Sequence, residues 1–96
     1  MKLRQLSYLL AIADNGLNIT AAAKELYTSQ PGVSKQLKLL EEELGVDLFE
    51  RNGRSLSGIT MAGQQVIVRA RRIVRETEVI RALPKVFSGE KRPNRS

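Results

Sequence analysis

Apolar residues recur at helical spacing through most of this chain. Leu3, Leu6, Leu10 and Ala13 fall on one face, with Lys2, Arg4, Gln5 and Asp14 on the others, and "DNG" at 14–16 supplies a stop. This predicts a first helix. Asn18 or Thr20 can cap a second, short helix, "TAAAKEL", whose alanines let another helix backbone approach closely before Tyr27 and Thr28 interrupt it. In "LYTSQPGVSKQLKLLEEELG", residues 26–45, Ser29 is an N-cap and Pro31 sits in the first turn, where its missing N–H costs nothing. Val33, Leu37, Leu40 and Leu44 then form one narrow apolar stripe, and Gly45 is placed to end the helix in a left-handed conformation. The third helix therefore runs from about Gln30 to Leu44.

Two short extended runs follow in "VDLFERNGRSLSGI", around Asn52-Gly53, a dipeptide suited to a type I′ hairpin turn with positive φ at both central residues. Arg51 and Arg54 would flank its tip. Thr60 can cap a long final helix from about Met61 to Leu83, ended by Pro84, with Val66, Ala70, Ile73, Thr77 and Ile80 at alternating steps of four and three. The remaining residues are polar and basic and read as a frayed tail. The expected fold is mainly α: a winged helix-turn-helix, with a three-helix core and a β-hairpin wing, followed by a long linker helix. Residues 1–59 would form the DNA-binding domain, 60–84 a linker and dimerisation helix, and 85–96 a flexible basic tail.

The split character of the third helix suggests what it does. At 100° per residue the stripe 33, 37, 40, 44 lies within about 40° of one direction, while Pro31, Ser34, Lys35 and Lys38 cluster on the far side. One face is buried and the other is free to read a polar surface. Glu41, Glu42 and Glu43 would be repelled by phosphate and read as a solvated helix end, so only the first two turns, with the positive dipole end, should lie close to DNA. Gln30 suits bidentate pairing with adenine, Lys35 reaches guanine O6 or N7, Pro31 packs on a thymine methyl, and Ser34 serves a base or a phosphate. Lys38 faces the backbone. Each of these is equally readable as an ordinary solvated residue, and Gln30 and Pro31 as helix-start signals. Thr20 and Thr28 could donate hydroxyls to phosphate, against a helix cap and a turn bond as the plain alternatives. Arg51 and Arg54 could sit against a minor groove or the backbone, with a local pair to Glu50 or Asp47 as the competitor for Arg51.

Charge sharpens the picture without locating the face. The 96 residues carry a formal net charge of +6, which favours an anionic partner such as nucleic acid. Residues 1–59 hold seven basic and seven acidic groups, whereas residues 60–96 hold nine and three. Cysteine and histidine are absent, which excludes disulfides, thiolate or imidazole metal sites, Cys or Ser-His nucleophiles and a histidine acid-base. No cofactor or metal is expected, and no enzyme. No stretch reaches membrane-spanning length and no signal sequence is evident, so a cytoplasmic location is expected and the sequons at Asn18 and Asn94 carry little weight.

The segment "TAAAKELYTSQPGVSKQLKLLEEELGVDLFERNGRSLSGITMAG" resembles the DNA-binding domain of LysR-type bacterial transcriptional regulators, over roughly residues 2–83. The "AA…L…SQP.VS.Q...LE.ELG..LFER" succession and the "T.AG" opening of the final helix carry it, and "LYTSQPGVSKQ" is similar to the CysB-like regulators of sulfur assimilation. The resemblance implies pairing through the linker helix and binding of a dyad-related promoter site as a dimer or dimer of dimers. It maps the family's contacts near the recognition-helix start to Gln30, Pro31, Ser34, Lys35 and Lys38, with Arg51 and Arg54 from the wing. Family members carry a larger effector-binding domain after the linker helix. This chain ends before one, as an excised fragment or a naturally short protein would, so no small-molecule effector is expected for it. Met61 stands where the family usually has proline, and Lys35 where many relatives have arginine, which weakens bidentate recognition there.

The long helix carries Arg69, Arg71, Arg72, Arg75 and Arg81 beside its apolar positions, and a projecting helix cannot bury such a stripe alone. Pairing with a second copy, or folding back on the first helix, would cover it. The alternative to a DNA reader is therefore a dimerisation module that joins full-length relatives through residues 61–83. RNA binding is disfavoured by an aromatic content of 4%.

Overall fold

The computed structural model describes residues 1–87, in the order α1 Leu3–Asp14, α2 Ile19–Glu25, α3 Gln30–Leu44, β1 Phe49–Asn52, β2 Ser55–Ile59 and α4 Met61–Val86. Helix α1 packs against α2, α3 and α4 at once. That position widens its buried face beyond the expected stripe. Leu9 and Ile12 are deep in the core with Leu6 and Leu10, Gln5 is buried as well, and Leu3 is exposed. Gln5 is accommodated because Oε1 accepts from the Lys2 amide at 2.9 Å and Nε2 donates to Gln36 Oε1 at 3.2 Å.

Asn18, and not Thr20, caps α2: its side chain accepts from the Ala21 amide at 2.9 Å. The short helix ends at Tyr27, whose φ of 55° is left-handed, with the Tyr27 amide donating to the Lys24 carbonyl and the Thr28 amide to Ala23. These two bonds form the Schellman arrangement that closes a helix C-terminus. Ala22 and Ala23 are fully packed, which lets α2 sit close to α3. Helix α3 begins and ends where the sequence predicts. Ser29 Oγ accepts from the Gly32 amide at 3.0 Å, Pro31 occupies the first turn, and Gly45 closes the helix at φ 74°. Val33, Leu37 and Leu40 are buried, but Leu44 is 36% exposed.

The core joins these residues to Leu48 and Phe49 from the start of the hairpin and to Ile67 and Ala70 from α4. Each large apolar side chain contributes about 1.5–3 kcal/mol on burial. The antiparallel hairpin differs from the expected turn. Asn52 pairs with Ser55, so the two-residue loop is Gly53-Arg54, and among its residues only Gly53, at φ 65°, is left-handed. One glycine at the first central position is the type II′ pattern, and it lets Asn52 stay in the strand. The register shifts between Glu50, which pairs with Gly58, and Arg51, which pairs with Leu56, so that Ser57 of β2 is the extra residue.

Helix α4 continues past Pro84 to Val86, with the Phe87 amide donating to the Leu83 carbonyl at 3.1 Å. A proline this near a helix end removes one bond to the preceding turn while later amides still find theirs. Lys85 and Val86 are therefore helical, Phe87 is the C-cap, and residues 88–96 of the expected basic tail lie outside the described residues. At its start, Thr60 Oγ1 accepts from the Gly63 amide at 2.9 Å and donates to the Asp47 carbonyl at 2.6 Å. Gly63 lies so close to the residue before β1 that a Cβ there would stand 2.0 Å from the Leu48 carbonyl oxygen.

The expected partner-facing stripe of α4 is divided. Ala70 is 1% exposed and belongs to the chain's own core, and Val66 is half-buried against it. The reason is that Gly63, Ile67 and Ala70, at steps of four and three, form the buried face of the helix, with Val74 half-buried at its far end. Thr77 is half-buried, its hydroxyl donating to the Val74 carbonyl at 2.6 Å. Ile73 and Ile80 are exposed, as are Leu83 and Phe87. The described residues extend 56 Å along one axis and only 25 and 22 Å along the others, because the second half of α4 projects from the body. No helix among them is long and apolar enough to cross a membrane.

Candidate nucleic-acid interface

The short α2 and the longer α3, joined by the turn at 27–29, leave the first turns of α3 facing solvent. Gln30, Pro31, Ser34, Lys35 and Lys38 are all exposed, opposite the buried Val33, Leu37 and Leu40. The helical stripe alone produces this separation. Thr28 is half-buried in the turn, and its Oγ1 lies 3.2 Å from where a Cβ on Gly32 would stand, so that only glycine fits under the cap without displacement. Thr20 is exposed in the first turn of α2 and is free of the capping role, which Asn18 fills.

An open groove of about 770 Å³ runs between α3 and the wing, with Ser34, Lys38, Glu41, Arg51, Arg54 and Leu56 among its lining residues. Lys38 contributes positive charge on one wall and Arg54, at the wing tip, on the other. Among the described residues neither makes an ion pair. Arg51 does. Its Nη2 donates to Glu41 Oε1 at 2.8 Å, and its Nη1 donates to Glu41 Oε2 at 3.4 Å and to the Phe49 carbonyl at 3.2 Å. The partner of Arg51 is thus neither Glu50 nor Asp47.

Glu41 corrects the sequence reading of the acidic end of α3. Glu42 and Glu43 are exposed, with Glu43 pairing the N-terminal ammonium at 2.7 Å, but Glu41 is 8% exposed. It also accepts from the Leu48 amide at 2.7 Å. One turn of helix carries both a solvated and a buried glutamate because the chain after Gly45 folds back over Glu41. Its place beside Leu40 on the edge of the apolar stripe was a faint signal, and three glutamates in a row concealed it.

Helix α4 holds most of the cationic excess away from this groove. Arg71 pairs with Asp14 across the α1–α4 contact, and Arg69 donates to Gln65 Oε1 at 2.9 Å. Among the described residues there is no cluster of carboxylates suited to a metal ion.

The description "Bacterial regulatory helix-turn-helix protein, lysR family" fits residues 3–64. The chain is 47% identical over 94 residues to the HTH-type transcriptional regulator CysB of Haemophilus influenzae, covering 98% of this chain and 28% of that protein. It is 43% identical over 88 residues to the regulator ClcR of Pseudomonas putida, covering 92% of this chain and 29% of the relative. The chain thus spans under a third of the length of these curated relatives. Among solved structures it is similar to the BenM DNA-binding domain in complex with benA site 1 DNA, at a TM-score of 0.84 and 31% identity, covering 95% of this chain and 100% of that one. The CbnR DNA-binding domain in complex with DNA matches at a TM-score of 0.78 and 38% identity, again over 95% of this chain and all of the other. With the same helix-turn-helix, wing and long helix in place, the chain belongs to the LysR family of bacterial regulatory helix-turn-helix proteins.

Proposed function

We propose that this chain reads double-stranded promoter DNA sequence-specifically, as a homodimer, and serves as the DNA-binding part of a cytoplasmic transcription regulator. The observation that carries the reading is the exposed polar side of α3 set beside a wing with a cationic tip. Gln30, Pro31, Ser34 and Lys35 meet base edges in the major groove, while Thr20, Thr28 and Lys38 hold phosphates. Arg54 reaches the backbone or minor groove from the wing tip, with Arg51 behind it using the donors left after Glu41 and Phe49. The DNA complexes of the BenM and CbnR domains support a duplex partner.

Pairing follows from α4. Val66, Ile73, Ile80 and Phe87 recur every seven residues, and the last three are exposed, the spacing of a helix that packs on another helix. Val66 and Ala70 serve mainly the chain's own core, so the partner contact centres on Ile73, Thr77 and Ile80 and extends toward Phe87. The same exposed heptad favours one second reading, a module that forms mixed dimers with full-length relatives; co-purification with such a relative and loss of operator binding would mark it.

Selection of bound DNA from a random duplex pool, followed by salt titration on the winners and on scrambled duplexes, tests the proposal. A dyad-symmetric winner with a large affinity ratio over scrambled DNA is expected. Equal binding of every duplex, collapsing with salt, would reduce the interaction to counterion release and overturn the reading.

A further inference from the structure

Glu41 places a carboxylate on the helix that faces DNA, where phosphates would repel it and burial would cost desolvation. Both of its oxygens are nonetheless occupied. Oε2 accepts from the Leu48 amide at 2.7 Å and from Arg51 Nη1, and Oε1 accepts from Arg51 Nη2 at 2.8 Å. Leu48 leads into β1 and Arg51 is its third residue, so one side chain of α3 holds the first strand of the wing at two points. Burial of Leu48 and Phe49 anchors the base of the hairpin, but Glu50 through Ser55 are exposed and the register is broken at Glu50/Arg51. Beyond that break the first strand is held by the polar tie from Arg51, while its cross-strand partner Leu56 is half-buried against the core. An ion pair with one partner buried is a weak source of net stability, since desolvation offsets the attraction; fixed geometry is what it supplies.

We propose that Glu41 is a positioning residue of the DNA-binding surface: through Arg51 and the Leu48 amide it sets the wing relative to α3, so that the helix and Arg54 meet one duplex without reorganisation. The inference rests on the DNA-binding reading above. It also accounts for a carboxylate so near phosphate, because Arg51 neutralises it.

Glu41→Gln separates positioning from charge. The carboxamide has one acceptor oxygen where the carboxylate has two, and its NH2 must face a donor. Affinity of the full chain for its selected duplex should fall about tenfold at a temperature where the variant is folded, although a negative charge has been removed. Hydroxyl-radical protection opposite the wing should fade while that opposite α3 persists. In the free protein, amide exchange of Leu48 and the hairpin should accelerate with α3 unchanged. Arg51→Lys, which keeps the charge but loses the two-point attachment, should reproduce the pattern, and Glu41→Asp should fall between Glu41→Gln and the natural protein. Unchanged or tighter binding by Glu41→Gln, or unchanged hairpin exchange, would overturn the inference. If the natural chain binds no duplex, the DNA-binding reading is what fails, and the exchange measurement still decides whether Glu41 braces the wing.

Discussion

The guanidinium of Arg71, near the middle of α4, clasps the carboxylate of Asp14 at the C-terminal end of α1, with Nη1 donating to Oδ2 at 3.0 Å and Nη2 to Oδ1. The two residues are 57 positions apart, and their pairing ties the long helix to the body just before it projects. The hydrogen bond from Arg71, aided by its charge, holds the Asp14 carboxyl below the usual carboxylate range against the opposing effect of burial.

A depressed folded-state value means that the pair contributes stability in full above the ordinary aspartate pKa of about 3.9 and loses it as pH falls through the lower folded value. Asp14→Asn should therefore cost about 0.5 kcal/mol near neutral pH, the scale of a half-exposed pair, and nothing once the carboxyl is protonated in both states. Urea unfolding across pH 2–7 would check this; an equal cost at both ends would assign the effect to packing.

Gly63→Ala places a methyl group on the Leu48 carbonyl oxygen. Backbone must move, because no rotamer relieves a Cβ contact, and the shift would also disturb the Thr60 cap. A loss of about 2–3 kcal/mol is expected in chemical denaturation. A neutral result would mean that the start of α4 shifts freely away from Leu48.

Gln30→Ala and Ser34→Ala should relax base preference without unfolding the domain, because both side chains are exposed and Ser29 provides the cap. Each should lower discrimination at one base position by about 1–3 kcal/mol, whereas Lys38→Ala should weaken all sequences alike and reduce the salt slope by about 1. Competition binding against a panel of single-base variants distinguishes the two behaviours; unchanged preference in the first pair would remove them as base contacts.

Ile80→Asp and Ala70→Asp sit on one helix and should behave oppositely. Ile80 is 62% exposed, so its replacement should dissociate dimers in sedimentation runs while leaving monomer stability within about 0.5 kcal/mol. Ala70→Asp buries an unpaired carboxylate in the core and should unfold the domain. A dimer that survives Ile80→Asp would move the interface elsewhere.

Local chemistry determined much of this protein. Ser29, Pro31 and Gly45 set the limits of α3, and the spacing of Val33, Leu37 and Leu40 decided which side of it faces outward, because capping and helical periodicity act within one or two turns. Thr60 marked the start of α4 for the same reason. Asn52-Gly53 announced a hairpin, but the pairing of Asn52 with Ser55 moved the loop by one residue, since register depends on the whole ladder and on its shift between Glu50 and Arg51.

Chain topology decided the rest. The adjacent glutamates 41 and 42 are alike in sequence, and only the return of Leu48 and Arg51 over α3 makes one of them a buried brace. Gln5 looked like a surface residue until α3 came to lie against it, and α4 showed a single stripe until α1 covered its first half. The sequence alone located the four helices and both ends of α3, whereas α4 runs past the stop that Pro84 suggested. Which apolar and charged groups meet was decided by contacts between residues far apart in the chain, which leave no periodic trace along it.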